Sequence, residues 1–234
     1  MTATSYYKLE AARRALAEVR DGMTLGLGSG STSAIFVDLL GQAVQQGQVA
    51  GIRGVATSEK TAAQARGLGI DLIPLAQAAR PDLAIDGADE VDPQLQLIKG
   101  LGKALLREKL VEIHSARLLI IIDESKISSR LGRLSPLPVE IVPYAWEKTV
   151  AWLAALQPDV RAELWRAEDG EPFVTDNGNY LARCWFADGI EHPHRLARTL
   201  ADRPGVVEHG LFLDMAAAVI VAGANGIQIW ERKR

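Results

Sequence analysis

Three carboxylates stand within one short stretch, Asp86-Gly87-Ala88-Asp89-Glu90, directly after the apolar run Leu83 to Ile85. Crowding acids costs repulsion, so the stretch signals a metal site, a sugar-hydroxyl site or, most commonly, a solvated acidic loop. Lys99 follows a second candidate strand, Leu95 to Ile98, and opens the glycine-flexed turn Lys99-Gly100-Leu101-Gly102. A cation at such a position can hold a developing oxyanion, with loop amides assisting. Farther on, Arg107-Glu108-Lys109 offers an acid between two bases, although a charged outer helix face has the same composition. Asp123-Glu124-Ser125-Lys126 carries the same two readings. Gly26-Leu27-Gly28-Ser29-Gly30-Ser31-Thr32-Ser33 has the small residues and hydroxyls of an anion cradle. It is not a dinucleotide fingerprint, because Ser31 stands where a third glycine is needed, and it lacks the Gly-Lys-Ser/Thr of a phosphate loop. Small residues let the backbone approach an anion, and a following helix offers unpaired N–H groups, so a phosphate monoester is the simplest ligand. A tight turn with an N-capping serine fits equally well. His192 and His194 have metal-like spacing, but Pro193 separates them and no cysteine is near, which favours a surface turn.

One chemistry would use these parts together: aldose–ketose interconversion on a sugar phosphate. A carboxylate takes the proton beside a carbonyl and returns it to the neighbouring carbon, while a positive group stabilises the enediolate between. A phosphate anchor, remote from the reacting carbons, holds the open-chain sugar in place.

The elements that must position these residues alternate. Leu9, Ala12, Leu16 and Val19 mark an amphipathic first helix closed by Asp21-Gly22. Strands are expected at Met23 to Leu27, Ile52 to Thr57, Leu83 to Ile85, Leu95 to Ile98 and Leu118 to Ile122. Helices are expected at Ala34 to Leu40, after Ser58-Glu59-Lys60, and from Gly102 to Ile113. Such alternation, with strands apolar on both faces, specifies an α/β doubly wound, mostly parallel sheet, whose ligands bind beyond the carboxyl ends of the strands. The polar clusters fall there. The prolines of Leu134-Ser135-Pro136-Leu137-Pro138 mark a junction, and all five tryptophans follow it. Beyond it a strand, helix, strand, strand, helix, strand order, the last strand Val206 to Phe212, indicates a second, smaller α+β domain. Ala217 to Val221 and Ile227 to Trp230 form a hairpin expected to rejoin the first. The division is therefore 1–134 plus 213–234 for the first domain and 135–212 for the second.

In its 234 residues, 48% hydrophobic and 24% charged, the chain has an ordinary globular composition. With 26 Lys+Arg against 29 Asp+Glu the net charge is -3, which removes general electrostatic attraction to nucleic acid. Cys184 is the single cysteine, so an intrachain disulfide and a Cys-rich metal site are excluded and a reducing cytoplasm is expected. Met1 to Arg20 lacks a continuous apolar stretch, so neither a signal peptide nor a membrane span is expected.

The chain resembles the type A ribose-5-phosphate isomerase family over nearly its whole length. The matching segments are Gly26 to Thr32, Thr57-Ser58-Glu59-Lys60, Ile85 to Glu90, Ile98-Lys99-Gly100, Arg107-Glu108-Lys109, Asp123 to Lys126, Leu137-Pro138-Val139-Glu140, Thr175-Asp176-Asn177-Gly178-Asn179 and Pro204-Gly205-Val206-Val207. The resemblance implies interconversion of ribose 5-phosphate and ribulose 5-phosphate in the non-oxidative pentose phosphate pathway, without a metal or organic cofactor. By motif position it implies Glu108 as the proton-transferring base. It implies Asp86, Asp89 and Lys99 as the groups that handle the sugar oxygens, assist ring opening and stabilise the enediolate. Ser29, Gly30, Ser31 and Thr32 become the phosphate cradle, with Lys8 as a further phosphate partner. Gly87, Ala88, Gly100, Leu101, Gly102 and Lys126 become substrate contacts. A homodimer or dimer of dimers, with the small domain serving as lid or in assembly, is also implied. Leu101 and Lys103 depart from the family pattern, which has glycine and alanine there, and leucine takes positive φ less cheaply than glycine.

Two other classes compete. A sugar-phosphate sensor would keep the binding site without catalysis, but such proteins carry a basic DNA-binding domain, which is not expected before Tyr6. A coenzyme A transferase would use Glu90 or Glu108 as a covalent carboxylate.

Overall fold

Short apolar runs bounded by glycine or acid become strands, and longer amphipathic ones become helices. The computed structural model describes residues 2–232. In chain order it begins α1 (Ala3–Leu16), β1 (Thr24–Leu27), α2 (Ser31–Gln45), β2 (Arg53–Ala56), α3 (Glu59–Gly67), β3 (Asp71–Leu72) and β4 (Leu83–Asp86). It continues β5 (Glu90–Val91), β6 (Leu97–Ile98), α4 (Leu105–Ile113), β7 (Leu118–Asp123), β8 (Leu137–Ile141), α5 (Trp146–Ala154) and β9 (Val160–Leu164). It ends β10 (Tyr180–Phe186), α6 (Pro193–Ala201), β11 (Val206–His209), β12 (Leu211–Phe212), β13 (Ala218–Gly223) and β14 (Gly226–Glu231). The chain divides into two compact units, one of Met1–Ala88, Arg107–Lys126 and Asp214–Arg234, the other of Asp89–Leu106 and Ile127–Leu213. Positions 1, 233 and 234 of the expected first domain lie outside the described residues.

The first unit is built on a seven-stranded sheet ordered β14-β13-β7-β4-β1-β2-β3. All its pairings are parallel except that of β13 with β14, so the C-terminal hairpin rejoins this sheet through β13, which lies parallel to β7. Leu25, Leu27, Ile85, Ile121 and Ile220 from the strands pack with Phe36, Val37 and Leu40 of α2 and Ala11, Ala12 and Ala15 of α1. Burying each large side chain contributes roughly 1.5–3 kcal/mol, and the small alanine face lets α1 approach closely. From β1 the chain runs outward through β2 to β3, then returns to place β4 on the other side of β1. That reversal makes the carboxyl ends of β1 and β4 the topological switch point, where open α/β sheets bind ligands.

The second unit holds a four-stranded antiparallel sheet, β11-β8-β10-β9, and a three-stranded one, β12-β6-β5. Leu137, Val139, Ile141, Ala182, Cys184 and Phe186 form its core with Leu153 of α5 and Leu200 of α6. Two features differ from the sequence expectation. Residues 89–106 and 127–134 group with this unit, because β5 and β6 pair with β12 and because Val91 bridges to Ile127. The expected single strand Val206 to Phe212 is two strands in two sheets. Gly210 makes the switch: its N–H donates to the Pro138 carbonyl at 2.8 Å, and a Cβ there would lie 2.3 Å from the Lys99 carbonyl oxygen.

Candidate active site

In the first unit the carboxyl ends of β1, β4, β2 and β7 carry Gly28–Ser33, Asp86, Ser58 and Lys126. At the switch point the Gly28 N–H donates to the Ile85 carbonyl at 3.0 Å, which brings β1's end against Asp86. A Cβ at Gly28 would sit 2.0 Å from Asp86 Oδ1, so only glycine permits this approach. Asp86 is 1% exposed. Its Oδ1 accepts from the Ser33 hydroxyl at 2.7 Å and from the Gly87 N–H at 2.7 Å, and the Gly87 N–H also reaches Ser33 Oγ at 3.0 Å. The anion that the loop approaches most closely is therefore this carboxylate.

The rest of the loop is ordered from beneath. Ser29 Oγ lies 2.8 Å from Thr57 Oγ1, 2.8 Å from Ser58 Oγ and 3.2 Å from Thr61 Oγ1, a cluster of four hydroxyls. Ser58 also caps α3, accepting from the Thr61 N–H at 3.1 Å. The cap position of α2 is occupied by Gly30, at φ 99°, with no side-chain cap, so the N-capping-serine reading of this loop does not hold. The first N–H groups of α2 face outward from that end. Beside them Lys8 of α1 donates from Nζ to Ser31 Oγ at 2.9 Å, placing an ammonium at the helix start. A cation, an exposed hydroxyl and a helix N-terminus together suit a phosphate.

Glu108 lies in the first turn of α4, where backbone N–H groups favour a negative charge. It is 2% exposed, so the outer-face reading of Arg107-Glu108-Lys109 fails for its central residue. Arg107 does turn outward and pairs with Glu59 at 2.7 Å. Its guanidinium, by hydrogen bond and then by charge, holds the Glu59 carboxyl below the usual range.

In the second unit Asp89 accepts the Leu101 N–H on Oδ2 at 2.9 Å and donates its own N–H to the Ile98 carbonyl at 2.8 Å. Lys99 is 2% exposed, its N–H held by the Gly210 carbonyl at 2.9 Å and its Nζ 5.3 Å from the Phe212 ring centroid. Gly100, at φ 111°, takes a left-handed conformation, whereas Leu101 does not, so replacing glycine by leucine at 101 costs no backbone strain. Glu90 is fully buried. It accepts from Gly132 N–H at 3.0 Å, Leu134 N–H at 2.9 Å, Ser135 N–H at 2.6 Å and Ser135 Oγ at 3.0 Å. A carboxylate so occupied anchors residues 132–135, which removes it as a covalent nucleophile. With Asp86 and Glu90 buried, the solvated-loop reading of the acidic stretch is overturned.

Sequence reasoning passed over Ser33, which ties Asp86 in place, and the supporting roles of Thr57 and Thr61. Their signal was adjacency to strand ends already marked as polar. It also left Glu140 unassigned: buried, it accepts on Oε1 from Thr175 Oγ1 at 3.0 Å, Asn177 Nδ2 at 3.1 Å and Asn179 Nδ2 at 2.9 Å.

The family model for ribose 5-phosphate isomerase A (phosphoriboisomerase A) matches residues 53–226. A ribose-5-phosphate isomerase A of Chloroflexus aurantiacus is 48% identical over 227 residues, covering 97% of this chain and 94% of that one. A probable chloroplastic ribose-5-phosphate isomerase 3 of Arabidopsis thaliana is 44% identical, covering 95% and 82%. A solved D-ribose-5-phosphate isomerase in complex with phospho-erythronic acid superposes with a TM-score of 0.95 at 38% identity, over 99% of this chain and 100% of that one. The ribose 5-phosphate isomerase of Plasmodium falciparum gives 0.94 at 34% identity, over 98% and 100%. Strand order, switch-point loops and these likenesses over nearly the full length agree: the chain belongs to the ribose 5-phosphate isomerase A family, which interconverts ribose 5-phosphate and ribulose 5-phosphate.

Proposed function

We propose that this chain isomerises ribose 5-phosphate through an enediolate with Glu108 as the base. The observation that carries this assignment is a buried carboxylate at a helix start, where a purely structural role predicted an exposed one. Glu108 takes the proton from C2 of the open-chain aldose, and the electron pair moves through C1 onto the carbonyl oxygen. Returning the proton to C1 while the C2 hydroxyl becomes a carbonyl completes the ketose, with no net change in protons. Lys99 balances the negative charge on the enediolate oxygens, and Asp86 and Asp89 move the hydroxyl protons during ring opening and transfer. Ser31, Thr32 and the amides from Ser29 and Gly30 receive the phosphate with Lys8, the Ser29 hydroxyl holding the loop's shape. Gly87, Ala88, Gly100, Leu101, Gly102 and Lys126 complete the substrate contacts.

The phosphate and carboxylate of phospho-erythronic acid resemble the phosphate and the charged oxygens of the enediolate, so that compound should compete with substrate here. The protein acts in the non-oxidative pentose phosphate pathway of the cytoplasm, as a homodimer or dimer of dimers assembled through residues 135–212. Among the described residues no helix is long and apolar enough to cross a membrane. A direct assay of ribose 5-phosphate conversion tests the assignment. Glu108→Gln should bind phospho-erythronic acid as the parent does but lose about 10²–10⁴-fold in kcat, the usual worth of a positioned base. Retained turnover in that variant would remove Glu108 from its role.

A further inference from the structure

The turn between β6 and α4 contains a conformation its sequence does not favour. Lys103 sits at φ 68°, in the left-handed region where a side chain crowds the backbone. A non-glycine residue persists there only where its surroundings over-determine it. The Lys103 N–H donates to the Gly100 carbonyl at 2.9 Å and closes a four-residue turn. Its Nζ lies 4.3 Å from the Phe173 ring centroid and 5.2 Å from that of Trp165, both within cation–π range.

The backbone that carries those rings is itself paired. The Phe173 N–H donates to the Trp165 carbonyl at 2.9 Å, and the Trp165 N–H donates to the Leu181 carbonyl at 2.7 Å. The Arg183 guanidinium carbon lies 4.9 Å from the indole centroid. At the other end of the turn, the Leu101 N–H is held by Asp89 Oδ2 at 2.9 Å. Lys99 directly precedes the turn, so whatever fixes Gly100 to Lys103 also limits where Lys99 and the Leu101 amide can move.

We propose that Lys103 is a positioning residue for the isomerisation: its ammonium, seated on Phe173 and Trp165, locks the left-handed turn that sets Lys99 and the Leu101 amide. This rests on the reading that Lys99 and Asp89 handle the sugar oxygens. Because the phosphate anchor is made by other elements, release of the turn should weaken transition-state contacts rather than substrate capture.

Steady-state kinetics with ribose 5-phosphate on four variants tests the proposal. Lys103→Met should lower kcat about tenfold, equivalent to about 1.4 kcal/mol, with KM changed less than about twofold. Lys103→Arg, which keeps a cation on the rings, should recover most of that loss. Lys103→Gly relieves the backbone strain but removes the ammonium, so it should fold at least as stably while remaining slow. Phe173→Leu should reproduce the Met defect and serves if Lys103→Met fails to fold. Full kcat in Lys103→Gly or Phe173→Leu would overturn the proposal, as would a loss confined to KM or an equal defect in Lys103→Arg. A fully active Lys99→Met would instead overturn the underlying reading of the turn, whatever the Lys103 variants do.

Discussion

At the scale of single residues, the site depends on what small side chains permit. Gly28 is in ordinary backbone territory, and what it provides is the absence of a Cβ where Asp86 must sit. Gly28→Ala should displace the Asp86 carboxylate from Ser33 and cost about 1–3 kcal/mol in overpacking, read as a lowered melting temperature. If Asp86 handles protons as proposed, its kcat should fall at least about tenfold. Wild-type kcat in a folded Gly28→Ala protein would show that Asp86 tolerates displacement. Residue types made the glycine loop and the acidic stretch visible as polar punctuation at strand ends. They did not show that Glu90, one position from Asp89, would be spent on the backbone of residues 132–135, because that partner lies far along the chain. Nor did they show that Ser29 would face three other hydroxyls.

At the scale of elements, legibility followed length. The parallel strands β1, β2, β4 and β7 are four to six residues long and stand within longer, mostly apolar segments, so the sequence shows them nearly to their ends. The two-residue strands β5 and β12 are too short to show a period, and with them went the three-stranded sheet and the unit to which residues 89–106 belong. Strand β10 was legible and carries a testable consequence. Burial pushes the Cys184 thiol, on its inward face, up to about 12 from an ordinary value of 9.0. The folded state therefore favours the protonated thiol, and its stability should decline once pH passes about 9, as the unfolded chain ionises and the native one does not. At neutral pH, alkylation of Cys184 should proceed only at the rate of opening of this sheet, with the same denaturant midpoint as loss of tryptophan fluorescence. Rapid labelling of the native protein would place the thiol at the surface.

At the scale of the whole molecule, the first unit is assembled from three separated segments, and the second is closed by residues 89–106, which run into the first residues of α4. Proline and tryptophan distribution marked a junction near 135, but hydrogen-bonded pairing, not composition, decides membership of a unit. The central claim is chemical: one carboxylate, Glu108, carries hydrogen between adjacent carbons of the substrate. Solvent isotope incorporation tests it most directly. Ribose 5-phosphate is converted in deuterium oxide, and C1 of the recovered ribulose 5-phosphate is read by NMR. The parent protein should install solvent deuterium at one of the two C1 positions, and Glu108→Gln should reduce isomerisation and exchange together by about 10²-fold or more. Exchange at the parental rate in folded Glu108→Gln would contradict the account.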